Sequence, residues 1–106
     1  MKGEEVMIIA LQCNERDNVA VVFSENVTAG TQVLVRDKKG NTKEITVNQT
    51  VPYGHKFALR EISVGEEILK YGEAIGAATQ KIMPGDYVHV HNLDSQRARG
   101  DLEKGE

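Results

Sequence analysis

The chain has one cysteine, Cys13, no tryptophan, two prolines and only five aromatic residues of the Phe and Tyr types among 106 residues. A single cysteine excludes an intrachain disulfide and a four-cysteine zinc site, and Cys13 reads as a small, half-buried hydrophobe. Long apolar runs are also missing. The longest near the start, Val6–Leu11, has the length of a strand and falls far short of the roughly 20 residues of a membrane-spanning helix. The opening Met1-Lys2-Gly3-Glu4-Glu5 lacks the basic segment and cleavage site of a signal peptide, so a soluble, cytoplasmic protein with no membrane role is expected. There is no excess of positive charge: 13 Lys and Arg face 16 Asp and Glu, for a net charge of −3. That leaves no basic footprint for nucleic acid. The length suits one domain with a layered core but is too short to enclose a deep internal active site.

What the chain does contain is short β-branched runs. Val6–Leu11, Val19–Phe23, Gln32–Arg36, Glu44–Val47, Phe57–Leu59, Glu67–Tyr71 and Tyr87–His91 are each bounded by Gly, Asn, Asp or Pro. This pattern predicts an all-β domain with tight connections. Asp37-Lys38-Lys39-Gly40-Asn41 lies between two of these runs and should close a hairpin. Glu73–Lys81, with its alanines, is the best candidate for one or two helical turns, although Gly76 interrupts it.

One pattern recurs four times, as "VTAGTQV" (27–33), "VPYGHKF" (51–57), "ISVGEEI" (62–68) and "IMPGDYV" (82–88). A glycine sits at the centre of each, with an apolar residue three positions away on either side. Glycine suits a turn position with positive φ, and the apolar flanks would enter the core from the two strands being joined. The spacing between copies is unequal, so the chain is no solenoid but a compact fold that reuses one corner.

Two of the three histidines lie in "YVHVHN" (87–92). If the run is a strand, Tyr87, His89 and His91 share one face and Val88 and Val90 the other. Two imidazoles at that spacing can chelate a metal, or they can simply line the solvated face of a strand. His55 and Lys56 follow Gly54 in the second corner. Together with the other histidines they would suit an anionic, hydroxylated ligand, while the plain alternative is a pair of exposed turn residues. Glu61, Glu66 and Glu67 read as a solvated charged edge, and no phosphate-cradling loop, nucleophile elbow or HExxH motif is present. The polar C-terminal segment 94–106 is expected to be a flexible tail or partner-docking arm after a domain spanning 1–93, with Arg97 and Arg99 as candidate carboxylate- or phosphate-binding residues.

"DNVAVVF" (17–23) followed by "VPYGHKFALREISVGEEILKYGEAIGAATQKIMPGDYVHVHNL" (51–93) closely resembles the SAF domain of the altronate and galactarate dehydratases. The match is carried by "GHKFAL", "KYG", "IG" and "VHVHN" in that order, and "RARGD" (97–101) is similar to the ending of the family's separately encoded small subunits, such as that of sulfolactate sulfo-lyase. The resemblance implies a β-clip fold. It also implies a large catalytic subunit as partner, a sugar-acid or sulfo-acid substrate, and a divalent metal, typically iron. In that setting Lys56 would neutralise the substrate carboxylate, and one of His55, His89 and His91 would be an acid. Asn92 would donate to a hydroxyl, and metal ligation by His89 and His91 is a competing role. No family motif makes Cys13 functional. A stand-alone module that binds acidic carbohydrates, or a scaffold that only stabilises the large subunit, are the rival expectations.

Overall fold

The structure, a computed structural model, describes residues 9–95. Within them the chain forms nine short strands and no helix: β1 (Ala10–Leu11), β2 (Val19–Val22), β3 (Gln32–Arg36), β4 (Thr42–Thr46), β5 (Lys56–Ala58), β6 (Glu67–Lys70), β7 (Glu73–Ala78), β8 (Tyr87–Val88) and β9 (Leu93–Ser95). None of these residues belongs to a helix long and apolar enough to cross a membrane. Six strands pair in the order β4-β3-β1-β2-β5-β8 and the other three in the order β6-β7-β9. This is the all-β, corner-built architecture that the resemblance implied.

The four repeated heptads make the corners. Gly30, Gly54, Gly65 and Gly85 have φ of 91°, 83°, 86° and 89°. In each copy the N–H after the glycine donates to the carbonyl three residues earlier: Thr31 to Thr28, His55 to Pro52, Glu66 to Ser63 and Asp86 to Met83. Positive φ at the third position of such a four-residue turn is the type II geometry that glycine tolerates best. Each corner glycine also donates its own N–H to a carbonyl across the fold, from Gly30 to Val47, Gly54 to Val22, Gly65 to Ala78 and Gly85 to Ala58. All eight flanking residues are buried: Val27, Val33, Val51, Phe57, Ile62, Ile68, Ile82 and Val88. They divide between two apolar clusters. One contains Val27, Val33, Val51 and Phe57, and the other contains Ile62, Ile68, Ile82 and Val88. The corners are therefore both chain reversals and contributors of eight side chains to the core.

The predicted helical turns over Glu73–Lys81 do not form; Glu73–Ala78 is the central strand of the smaller sheet, with β6 on one side and β9 on the other. Backbone pairing on both edges outweighs the helical preference of three alanines. Gly76 is required there because a Cβ at that position would lie 2.5 Å from the Asp94 carbonyl oxygen. Asp94 and Ser95, assigned to the tail by sequence, instead belong to β9. The rest of that tail, 96–106, lies outside the described residues.

Two buried polar side chains lock the smaller sheet to the larger. Asp17 accepts the N–H groups of Asn14 at 3.0 Å, Tyr71 at 2.9 Å and Gly72 at 2.7 Å. It thereby holds the tight β6–β7 turn, in which Tyr71 and Gly72 both have positive φ. Asn18 accepts from the Leu69 N–H at 2.8 Å and donates to the Glu67 carbonyl at 2.9 Å. The "DN" and "KYG" elements of the resemblance are thus two halves of one structural clamp.

Candidate functional site

The site is built by the second corner and the end of β8. Antiparallel pairing of β5 with β8 sets Lys56 opposite Val88 and Phe57 opposite Tyr87. His55, one residue before β5, is thereby carried beside Tyr87, and its Nδ1 lies 2.7 Å from the Tyr87 hydroxyl oxygen. After Val88 the chain leaves the strand. The Asn92 N–H donates to the His89 carbonyl at 3.0 Å, closing a turn over residues 89–92. The Asn92 side chain secures that turn from within, accepting the His89 N–H at 3.0 Å and donating to the Tyr87 carbonyl at 2.9 Å.

This corrects the strand expected over Tyr87–His91. It ends at Val88, and Val90, expected in the core, is 77% exposed. The reason is Asn92, whose amide captures the His89 N–H that a longer ladder would need. His89 and His91 still come together, but around the ring of Tyr87 rather than by strand alternation. The Tyr87 ring lies 5.6 Å from that of His89, nearly parallel at 7°, and 5.6 Å from that of His91. The His55 ring is 4.9 Å from His89 and 5.7 Å from Tyr87. These separations are ordinary for packed aromatic rings. Three histidines from two distant segments thus meet on one tyrosine, which sequence reasoning did not single out. Its position two residues before His89 was the available signal. Asn92, expected to donate to a substrate hydroxyl, is buried, and both ends of its amide are engaged by backbone.

The electrostatics of the cluster are cationic. Partial desolvation, followed by the charges of His55, Lys56 and His91, holds His89 below the ordinary histidine range. Burial and the charge of Lys70 push the half-buried Lys56 below its ordinary value. The ion pairs among the described residues use other groups, joining Lys39 to Glu15, Arg60 to Glu66 and Lys81 to Glu61. Lys56 is in none of them, so an anion is the ligand that its surroundings favour. Beside the cluster an exposed edge-to-face aromatic pair, Phe23 and Tyr53, stands at 6.4 Å, with Tyr53 two residues from His55.

The described residues include no group of three or more His, Cys, Asp or Glu side chains placed to hold a metal ion. The Nδ1 of His55 faces the Tyr87 hydroxyl, and His89 and His91 both lie against the Tyr87 ring. The imidazoles of this chain do not by themselves form a ligand set for the iron that the resemblance implied. Arg97 and Arg99 lie outside the described residues. Cys13 is far from this chemistry in both partner and setting. Its thiol raises the pKa of the Tyr71 phenol, and it lines a cleft of about 430 Å³ with Leu11, Gln12, Arg36, Lys38 and others, none of them from the histidine cluster. Glu66 and Glu61 are also structural: the Ser63 N–H and Arg60 hold the Glu66 carboxyl below the usual range, and Glu61 pairs with Lys81.

Comparison with known proteins places the chain in a family. Residues 8–96 match the family model described as the altronate/galactarate dehydratase SAF domain. The chain is 39% identical over 83 residues to the (2R)-sulfolactate sulfo-lyase subunit alpha of Chromohalobacter salexigens, covering 76% of this chain and 87% of that one. It is 38% identical over 94 residues to the altronate dehydratase of Escherichia coli, covering 82% of this chain but only 18% of that enzyme. Galactarate dehydratase (L-threo-forming) of Escherichia coli is 32% identical over 78 residues, covering 74% of this chain and 14% of that enzyme. The chain belongs to the altronate/galactarate dehydratase SAF-domain family.

Proposed function

We propose that this chain is the small subunit of a cytoplasmic hydroxy-acid lyase and that it completes an active site on a large dehydratase-type subunit. The observation that carries the reading is the ring cluster itself. Basic and hydrogen-bonding groups converge at His55, Lys56, Tyr87, His89 and His91, and among the described residues Lys56 has no ion-pair partner. Half a site displayed beside the exposed Phe23–Tyr53 pair suits a surface that another subunit covers. The match to most of a protein named as a lyase subunit, and to a small part of one named as a dehydratase, supports the same division of labour.

The reaction in this reading is an elimination from a sugar acid or sulfo-acid. A base takes the proton beside the carboxylate, and the electron pair left on that carbon forms the double bond. The bond from the neighbouring carbon to its leaving group then breaks, and an acid protonates a departing hydroxyl to give water; sulfite needs no such help. Lys56 balances the charge that develops on the carboxylate as the proton leaves. The imidazoles supply hydrogen-bond donors and proton transfer near neutral pH. In this reading the large subunit supplies most of the ligands of the divalent metal, since the described residues hold no group of three or more ligand side chains.

The test is reconstitution with a large dehydratase-type subunit, assayed on altronate, galactarate and sulfolactate. The isolated chain should be inactive and the mixture active. Replacing the histidine that transfers the proton with alanine should lower kcat/KM by about 100-fold or more. Wild-type kcat/KM in the His55→Ala, His89→Ala and His91→Ala complexes alike would refute the shared site. Calorimetric binding of these acids to the isolated chain, without turnover in any mixture, would favour a carbohydrate-binding module. Loss of assembly rather than turnover in the histidine variants would reduce the chain to a scaffold.

A further inference from the structure

We infer that Tyr87 is a positioning residue that fixes His55 with its ring proton on Nε2, making His55 a hydrogen-bond donor to a substrate oxygen and leaving proton transfer to His89 or His91. The inference rests on the reading of the cluster as a lyase half-site, and it sorts three histidines that the sequence left equivalent.

The argument starts from a single contact. The Tyr87 oxygen and His55 Nδ1 are 2.7 Å apart, at the short end of the usual hydrogen-bond range. One of the two must donate. An imidazole nitrogen is the better acceptor of the pair and a phenol the better donor. The hydroxyl has no other protein acceptor among the described residues, so donation to His55 is the arrangement that satisfies its hydrogen. A neutral imidazole that accepts at Nδ1 carries its hydrogen on Nε2. Nε2 lies on the far side of the ring from Nδ1, so the N–H is directed away from Tyr87. In this state His55 has no free lone pair to act as a base.

The rest of the cluster holds Tyr87 in place for this task. Its N–H donates to Gln49 Oε1 at 2.8 Å, its carbonyl accepts from Asn92 at 2.9 Å, and its ring is stacked on His89. The tyrosine is therefore fixed at both backbone groups and at its ring face, and its hydroxyl is aimed at one atom. His89 and His91 make no side-chain hydrogen bond of this kind among the described residues, so their ring nitrogens stay available for proton transfer.

Two measurements test the inference. The first needs no partner: long-range ¹⁵N–¹H spectra of the full chain, recorded near pH 8, with His55 assigned by its loss in His55→Gln. Wild-type protein should show one His55 tautomer with bare Nδ1 and protonated Nε2. Tyr87→Phe, which keeps the ring stack, should give a mixture while the His89 ring signals stay close to wild type. A wild-type His55 protonated on Nδ1, or a Tyr87→Phe spectrum identical to wild type, overturns the inference. The second uses the reconstituted enzyme. Glutamine retains an N–H donor but cannot transfer a proton, so His55→Gln should keep kcat/KM within about tenfold of wild type. His55→Ala should fall about 10- to 100-fold lower than His55→Gln, the ratio expected for a lost hydrogen bond to an anionic oxygen. If glutamine is as damaging as alanine, His55 transfers a proton and the inference fails. Failure of the lyase reading would instead show as an inactive mixture with the tautomer result intact.

Discussion

Gly85 and Gly65 occupy the same position in two copies of one corner, yet alanine should have very different effects at the two. Their φ values are 89° and 86°, so both substitutions force an L-residue into left-handed backbone, at about 1–2 kcal/mol. At Gly65 a new Cβ meets nothing within 4 Å, and that strain is the whole effect. At Gly85 the Cβ would overlap the Thr46 carbonyl oxygen. The clash cannot be relieved by a side chain. Thr46 is the last residue of β4, and Asn48 just beyond it donates to the Gly85 carbonyl at 2.9 Å and to the Pro84 carbonyl at 3.1 Å. Overpacking against backbone adds about 1–3 kcal/mol, which brings Gly85→Ala to about 2–5 kcal/mol. Urea unfolding reads the contrast directly. With a slope of about 1 kcal/mol per molar for a small domain, the two midpoints should separate by about 1 M or more. If Gly85→Ala unfolds at the same urea concentration as Gly65→Ala, the fourth corner is not packed against the end of β4 as described.

Three further outcomes follow from contacts described above. Asp17→Ala removes the acceptor of three backbone N–H groups, and with part of that loss recovered by water at the exposed Tyr71 it should destabilise the protein by about 3 kcal/mol. Amide exchange should quicken at Tyr71 and Gly72, and a change below about 0.5 kcal/mol would contradict the clamp. Asn92→Ala leaves the His89 N–H and the Tyr87 carbonyl without their partner, at about 2 kcal/mol, and should shift the ring resonances of His89 and His91; unchanged resonances would mean the turn holds without it. His89 should titrate below the ordinary value of 6.5, chiefly from desolvation and then from His55, Lys56 and His91. The unfolded chain then takes up its proton first as pH falls. The contribution of His89 to stability is complete above about pH 6.5 and is lost as pH drops through the lowered folded value. Lys56→Met should raise the His89 midpoint in an NMR titration, and a wild-type midpoint at or above 6.5 would refute the cationic cluster.

The corners were legible because glycine with flanking apolar residues states both a backbone conformation and a burial. All eight flanks proved buried, and all four glycines have positive φ. The β3–β4 hairpin was legible for a similar reason: Asp37 Oδ1 accepts the N–H groups of Lys39 and Asn41, an interaction local in sequence. β7 was not, since three of its six residues are alanines and one of its two edges is paired by β9, the segment Leu93–Ser95 whose polar residues read as tail. Within the site, alternation placed His89 and His91 together for the wrong reason. A side chain closing on its own backbone, as Asn92 does, breaks the period-two rule without any change in hydrophobic pattern. The meeting of His55 with Tyr87 depends on the β5–β8 register, and no local pattern encodes that pairing.

The place of β1 in the larger sheet affects how the chain comes apart. Ala10 and Leu11 sit between β2, which they pair antiparallel, and β3, which they pair parallel. Those two residues are the seam between the β3–β4 hairpin and the strands that carry His55 and Tyr87. Backbone bonds continue past them, from the Ile9 N–H to the Leu34 carbonyl, from the Phe23 N–H to the Ile9 carbonyl and from the Gln12 N–H to the Arg36 carbonyl, so the hairpin is joined to the rest of that sheet through β1. Opening along β1 would free the hairpin as a unit while β2, β5 and β8 keep their own pairing. In synthesis the order is reversed. β1 leaves the ribosome before β3 and must wait for it, more than twenty residues later, before its second edge is satisfied. Until then Ala10 and Leu11 present an open strand edge, and a chaperone or a partner subunit that recognises extended backbone would find it there.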